Sequence, residues 1–227
     1  MAAAIVRRVR QAFMIELVDL MRTAIAPVCL LLAFFATAAQ AESLVDGDVA
    51  AGKTKSTPCS ACHGADGNSL SPQWPNLAGQ GAPYVAAQLA AFKSGDRQDP
   101  LMAPQAMALS DEDVADLAVY YESLERGTQS VANADTVDRG EALWRGGNAD
   151  RGVPACIACH GPTGRGNPAA KYPLLAGQHA AYTAKQLRDY AAGTRKSDGK
   201  TRMMREIAER LTQDDVEALA SYIQGLK

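Results

Sequence analysis

Apolar residues recur along this chain at helical spacing, and the same pattern comes round twice. Val114, Leu117, Ala118, Tyr121 and Leu124 fall three and four apart, as do Val216, Leu219, Ala220 and Ile223, so each set lines one face of a helix. Ahead of each stripe stands an N-cap residue with an acid three places on, Ser110 with Asp113 and Thr212 with Asp215, a near relative of the capping box. Earlier in each half the pattern predicts a helix from about Pro83 to Lys93 and again from about Ala180 to Ala191, closed by Gly95 and Gly193 where a C-cap is expected. A shorter amphipathic helix comes before these, from about Gly47 to Thr57 and from about Asp138 to Arg145, and the run Gly146 to Gly152 adds a loop to the second copy. No stretch alternates as a strand does, so the expected fold class is all-α.

The two halves align residue by residue, which marks a duplication of about a hundred residues. Cys59, Cys62, His63 and Gly64 fall on Cys156, Cys159, His160 and Gly161 with an offset of 97. One inserted residue later, Pro75, Leu77, Ala78, Gly79, Gln80, Tyr84, Gln88, Leu89, Gly95 and Arg97 fall on Pro173, Leu175, Ala176, Gly177, Gln178, Tyr182, Gln186, Leu187, Gly193 and Arg195. Between the halves, residues 125–136 are polar without an apolar period. The expected organisation is therefore two tandem helical domains, 42–124 and 137–227, joined by that linker.

Residues 1–41 read as a targeting segment: a basic start, an apolar run from Ala24 to Ala39 that is short for a spanning helix, and a small-residue Ala39-Gln40-Ala41 cleavage site. Residues 1–20 are surplus to such a signal, with Met14 or Met21 as the natural start. Cys29 precedes the apolar core rather than closing it, which argues against lipid attachment. The whole chain of 227 residues has a net charge of −2, and loss of residues 1–41 takes it to −4. A mildly acidic chain with 47% hydrophobic and 6% aromatic residues gives no hint of nucleic-acid binding.

The candidate chemistry lies in the repeated Cys-x-x-Cys-His, the pattern of c-type haem attachment. Two thiols on one helical turn can add to the two vinyl groups of a porphyrin while the adjacent histidine reaches the iron. A zinc site would need a wider gap before its histidine, since a His beside a Cys ligand rarely reaches the same ion. A thioredoxin-like dithiol would need a βαβ setting, and plain disulfides leave both His-Gly pairs unexplained. Two domains of under a hundred residues, poor in aromatics, bury little core alone. Two covalently bound haem c groups, held by Cys59, Cys62, Cys156 and Cys159, supply the missing apolar centres, and export to an oxidising compartment fits them.

The other axial position decides between a carrier and a catalyst, because methionine with histidine closes the iron and raises its potential. The candidates are Met102 and Met107 in the first half and Met203 and Met204 in the second. Met102 stands eight residues before the N-cap Ser110 and Met204 eight before the N-cap Thr212, a register the other two lack. His63 with Met102 and His160 with Met204 are thus the expected iron ligands; the duller role for these methionines is filling gaps in an apolar pocket. Pro75 and Pro173 offer carbonyls to orient the histidines. Arg97 and Arg195 have three open roles: pairing with haem propionates, bracing the domain interface, or lying solvated. His179, where the first half has Gly81, reads as a surface or interface residue.

The repeated Cys-x-x-Cys-His-Gly, the Trp-Pro-Asn-Leu-Ala-Gly-Gln and Tyr-Pro-Leu-Leu-Ala-Gly-Gln segments and the Met-Met-Arg-x-Ile-Ala run resemble the dihaem cytochrome c4 family over nearly all of residues 46–227. The resemblance implies two cytochrome c-like domains about an approximate two-fold axis, and a periplasmic one-electron carrier. Its donor would be a quinol-oxidising complex or a dehydrogenase and its acceptor a terminal oxidase, with any membrane association loose. Only four residues separate Arg97 from Met102, so the first ligand loop is expected to differ from the second. Two further readings stand beside the carrier: the haem subunit of a dehydrogenase complex, and a dihaem peroxidase or sulfur-oxidising enzyme with one open iron.

Overall fold

The computed structural model describes residues 43–227, which hold ten α-helices and five short 3-10 turns in two lobes that repeat one order of elements. The first lobe contains α1 (Val49–Lys55), α2 (Ser60–His63), α3 (Ala82–Ser94), α4 (Met102–Met107) and α5 (Asp111–Ser123). The second contains α6 (Val137–Gly146), α7 (Ile157–His160), α8 (Ala180–Ala191), α9 (Met203–Ala208) and α10 (Gln213–Gly225). Among the described residues no strand forms, and the only β contacts are isolated bridges, one of which pairs Arg97 with Arg195 across the lobes. The targeting segment expected at residues 1–41, with Cys29, lies outside the described residues.

The last helix of each lobe begins where the sequence predicts, and its cap is a complete box. Ser110 Oγ accepts from the Asp113 N–H while the Asp113 carboxylate accepts from the Ser110 N–H, and Thr212 and Asp215 repeat the exchange. The box works with Asp in place of Glu because the shorter acid still spans one turn. The opening helix of the first lobe is shorter than the spacing suggests, starting at Val49 after an Asp48 cap instead of at Gly47. Gly47 lies against α5, and a Cβ there would sit 2.6 Å from the Ala115 carbonyl oxygen.

Close crossing sets the frame of each lobe. α1 rests on α5 at Gly52, where a Cβ would lie 2.1 Å from the Asp116 carbonyl oxygen, and α6 rests on α10 at Gly140, where the Ala218 carbonyl oxygen would be 2.5 Å away. α3 and α8 then close the other side, burying Val85 with Ala118 and Val119, and Ala184 with Val216 and Ala220. Among the described residues, ten of the 23 buried apolar side chains are alanine, so the side chains themselves supply little apolar volume.

Residues 125–136 are stitched to both lobes. Arg126 Nε donates to the Ala78 carbonyl at 2.6 Å, Gly127 N–H to Asn68 Oδ1 at 2.9 Å, Gln129 Nε2 to the Gly177 carbonyl at 2.9 Å, and Asn133 N–H to Ser221 Oγ at 2.7 Å. A polar stretch with no apolar period therefore runs as an ordered strap, held by its backbone and amide groups instead of by a hydrophobic face.

Candidate functional site

Each Cys-x-x-Cys-His run forms a single helical turn. Cys59 closes a 3-10 turn and Cys62 lies on α2 with His63; in the second lobe Cys156 caps α7, which carries Cys159 and His160. The four cysteines of the two runs are free thiols, so the disulfide alternative does not describe this structure. Among the described residues no cluster of three His, Cys, Asp or Glu side chains could hold a metal ion. Cys59 packs against the cluster of Leu117, Tyr120 and Tyr121, and Cys156 against the cluster of Leu143, Trp144, Leu219 and Ile223. Burial raises the Cys59 thiol pKa against a hydrogen bond with Tyr121, and pushes Cys156 up to about 11.

The glycine after each histidine has a backbone reason. Gly64 turns the chain at φ 82° and Gly161 at φ 77°, left-handed values that a side chain resists. At Gly64 the space is also closed, with the Asn68 carbonyl oxygen 2.2 Å from where a Cβ would lie.

The chain then loops back so that a proline carbonyl meets each imidazole. His63 Nδ1 donates to the Pro75 carbonyl at 2.9 Å and His160 Nδ1 to the Pro173 carbonyl at 3.3 Å. Both rings are buried, at 5% and 8% exposure, and burial holds their pKa values below the ordinary histidine range while the carbonyl partner pulls the other way. A neutral imidazole that gives its Nδ1 proton to a carbonyl keeps the lone pair on Nε2, which is the form that ligates a metal.

The methionines separate by exposure. Met102 opens α4 half-buried and Met107 at its end is 64% exposed; Met204 is half-buried and Met203 is 38% exposed, its sulfur 3.9 Å from the Tyr172 hydroxyl. The two loops differ, as the unequal spacing suggests. Asp99 caps the chain into α4, whereas the second loop adds a 3-10 turn, Gly199–Thr201, and pins Arg205 to Asp198 at 2.8 Å.

Arg97 and Arg195 are buried at the contact of the lobes, which removes solvation from their open roles. Arg97 donates to the Tyr182 hydroxyl (2.6 Å) and Gln186 Oε1 (3.0 Å), while Arg195 donates to the Tyr84 hydroxyl (2.7 Å) and Gln88 Oε1 (2.7 Å). Each guanidinium also lies 4.5 Å over an aromatic ring of its own lobe, Phe92 or Tyr190. His179 belongs to the interface and not the surface: it is buried, and its Nε2 lies 2.9 Å from the Ser69 carbonyl of the other lobe.

Two features escape sequence reading. Trp144, fully buried, stacks near His160 with ring centroids 6.3 Å apart, and Tyr172 flanks the same imidazole at 6.2 Å. In the register set by Gly52 and Gly140 the first lobe has Ser56 in that place, so the duplication gives no hint of it. The second feature is the partnership of Gln80 and Gln178, visible in the sequence only as one matched pair among many.

Paired thiols on one turn, a neutral imidazole with Nε2 free, and a small-residue interior fit a covalently attached haem in each lobe. The family profile described as Cytochrome c matches residues 49–125 and 137–227. A cytochrome c4 of Pseudomonas aeruginosa is 48% identical over 79% of this chain and 89% of its own length. The crystal structure of reduced recombinant cytochrome c4 from Pseudomonas stutzeri is 46% identical, covering 80% of this chain and all of that one, with a TM-score of 0.78. A thiosulfate dehydrogenase electron acceptor of Stutzerimonas stutzeri is 38% identical over 74% of this chain and 78% of its own length.

Proposed function

The chain belongs to the cytochrome c4 family of dihaem electron-transfer proteins, and from that membership we propose that its mature form shuttles single electrons in the periplasm between a respiratory dehydrogenase or quinol-oxidising complex and a terminal oxidase. Haem c, once attached, supplies a one-electron ferric–ferrous couple. Cys59 and Cys62 would hold one ring and Cys156 and Cys159 the other, and His63 with Met102 and His160 with Met204 would ligate the two irons. The observation that carries this reading is the buried, carbonyl-tethered imidazole beside each thiol pair, matched in both lobes. A site closed by two protein ligands changes little in geometry when an electron arrives, which suits a carrier and leaves no open position for peroxide or a sulfur substrate.

The test is the methionine-to-iron charge-transfer band of the ferric protein, read by magnetic circular dichroism. Met102→Ala and Met204→Ala should each abolish one of two bands and lower the potential of one haem, and Met107→Ala and Met203→Ala should abolish neither. Retention of both bands in Met102→Ala or Met204→Ala would overturn the ligand set.

Charge supports two distinct partner faces. Residues 43–124 carry ten acidic against four basic side chains, and residues 137–227 carry ten against fourteen. An acidic lobe steers toward a basic partner surface and a basic lobe toward an acidic one. A second reading, as acceptor from a sulfur-compound dehydrogenase, is favoured by the relative named for that role. Rapid reduction of the purified protein by a thiosulfate-oxidising enzyme, and not by a quinol-oxidising complex, would select it.

A further inference from the structure

We propose that Gln80 and Gln178 are positioning residues that reach across the lobe interface, each fixing the proline peptide that orients the other lobe's axial histidine; this rests on the reading of His63 and His160 as iron ligands. The geometry is reciprocal. Gln178 Oε1 accepts from the Asn76 N–H at 2.9 Å and its Nε2 donates to the Asn76 carbonyl at 3.0 Å. Gln80 Oε1 accepts from the Leu174 N–H at 2.8 Å and its Nε2 donates to the Leu174 carbonyl at 3.0 Å. Both glutamines are buried, at 5% and 4% exposure, so neither clasp is exchanged for water.

The residue clasped is the one that follows the proline. The Asn76 N–H and the Pro75 carbonyl are the two ends of one planar peptide unit, as are the Leu174 N–H and the Pro173 carbonyl. A continuous chain therefore runs from Gln178 Oε1 through the Pro75–Asn76 peptide to His63 Nδ1, and its counterpart runs from Gln80 Oε1 through the Pro173–Leu174 peptide to His160 Nδ1. Accepting at the N–H end polarises the peptide and makes its carbonyl a stronger acceptor. A stronger acceptor raises the basicity of the imidazole and favours ferric iron. Each lobe thus tunes the metal of its neighbour.

The glutamine orientations are fixed by their own surroundings. Gln80 Oε1 also accepts from the Gly81 N–H at 3.2 Å and Gln178 Oε1 from the His179 N–H at 3.0 Å, so exchanging oxygen and nitrogen would set donors against donors. The two chains are not equal in strength. Asn76 is held further by its side chain, which donates to the Gly177 carbonyl and accepts from the Ser69 N–H, and Leu174 has no such groups. The shorter histidine contact, at His63, belongs to the better-held peptide.

The test uses the dihaem protein with Gln178→Leu and Gln80→Leu, and Gln178→Asn, one methylene too short to clasp, in case the leucine variant does not fold. Redox titration follows each haem by its own hyperfine-shifted proton resonances, and hydrogen exchange follows each histidine Nδ1–H. Gln178→Leu should ease reduction of the His63 haem at least threefold in its equilibrium constant and speed exchange of the His63 Nδ1–H at least tenfold, leaving the His160 haem where it was. Gln80→Leu should do the converse, with a smaller effect. Tyr182→Phe, which removes an interface hydroxyl away from both chains, should move neither haem selectively. A shift in the lobe that carries the substitution, or equal shifts in both haems, overturns the inference. Haems not ligated by His63 and His160 in the unaltered protein would remove the ligand reading and this inference together.

Discussion

At the scale of single residues, chemistry is set by what each side chain is forced to face. Burial holds the pKa values of His63 and His160 down against the pull of the carbonyl each donates to, and that same carbonyl leaves Nε2 as the nitrogen free to ligate. Trp144 shows how much one side chain carries in a small interior. It is buried in one cluster with Leu143 of α6 and Leu219 and Ile223 of α10, and its indole N–H donates to the Pro162 carbonyl at 3.3 Å. Trp144→Ala should destabilise the dihaem protein by about 3–5 kcal/mol in denaturant unfolding, and Ser56→Ala in the first lobe by far less. The sequence marks the cysteines, histidines and prolines because their spacing repeats; it does not mark Trp144, because nothing in the other copy corresponds to it.

At the scale of elements, pairs of helices cross where one of them has no side chain. Gly52→Ala should cost about 1–3 kcal/mol or more, since the new methyl group meets backbone and α1 must lift from α5, and Gly140→Ala should do the same for α6 and α10. The first crossing is also tied by charge. Lys55 Nζ lies 2.6 Å from Asp116 and 2.9 Å from Asp113, and the Lys55 hydrogen bond, with those of the Ser110 cap, holds the Asp113 carboxyl at about 2, below its ordinary 3.8. A carboxyl depressed on folding contributes stability above its unfolded pKa and loses it as pH falls through the folded value. Acid unfolding should therefore steepen between about pH 4 and pH 2, and Lys55→Met should flatten that part of the curve. The three longer helices of each lobe were legible from apolar spacing and caps; the six-residue α4 and α9 were not, nor were the crossing glycines, because contact between helices distant in sequence has no local signature.

At the scale of the whole molecule, two lobes with interiors rich in alanine are joined through buried polar groups. The Arg97 and Arg195 contacts, the glutamine clasps and the strap of residues 125–136 make one body of what the repeat presents as two. Arg195→Ala should leave interface partners unsatisfied at a cost of about 1–3 kcal/mol and split a single unfolding transition toward two, seen by calorimetry. Replacing the four cysteines with alanine should yield a chain without a cooperative transition, because the side chains alone leave the apolar centres unfilled.

The sequence by itself determined the longer helices, the duplication, the paired thiols with their adjacent histidines, and the prolines that face them, because each is written as a short-range spacing or as that spacing repeated. Only the tertiary structure decided which arginines are buried, that His179 faces the other lobe, and that each glutamine clasps the opposite loop. Those contacts join residues about a hundred positions apart, and a pattern read along one chain carries no term for what its two halves do to each other.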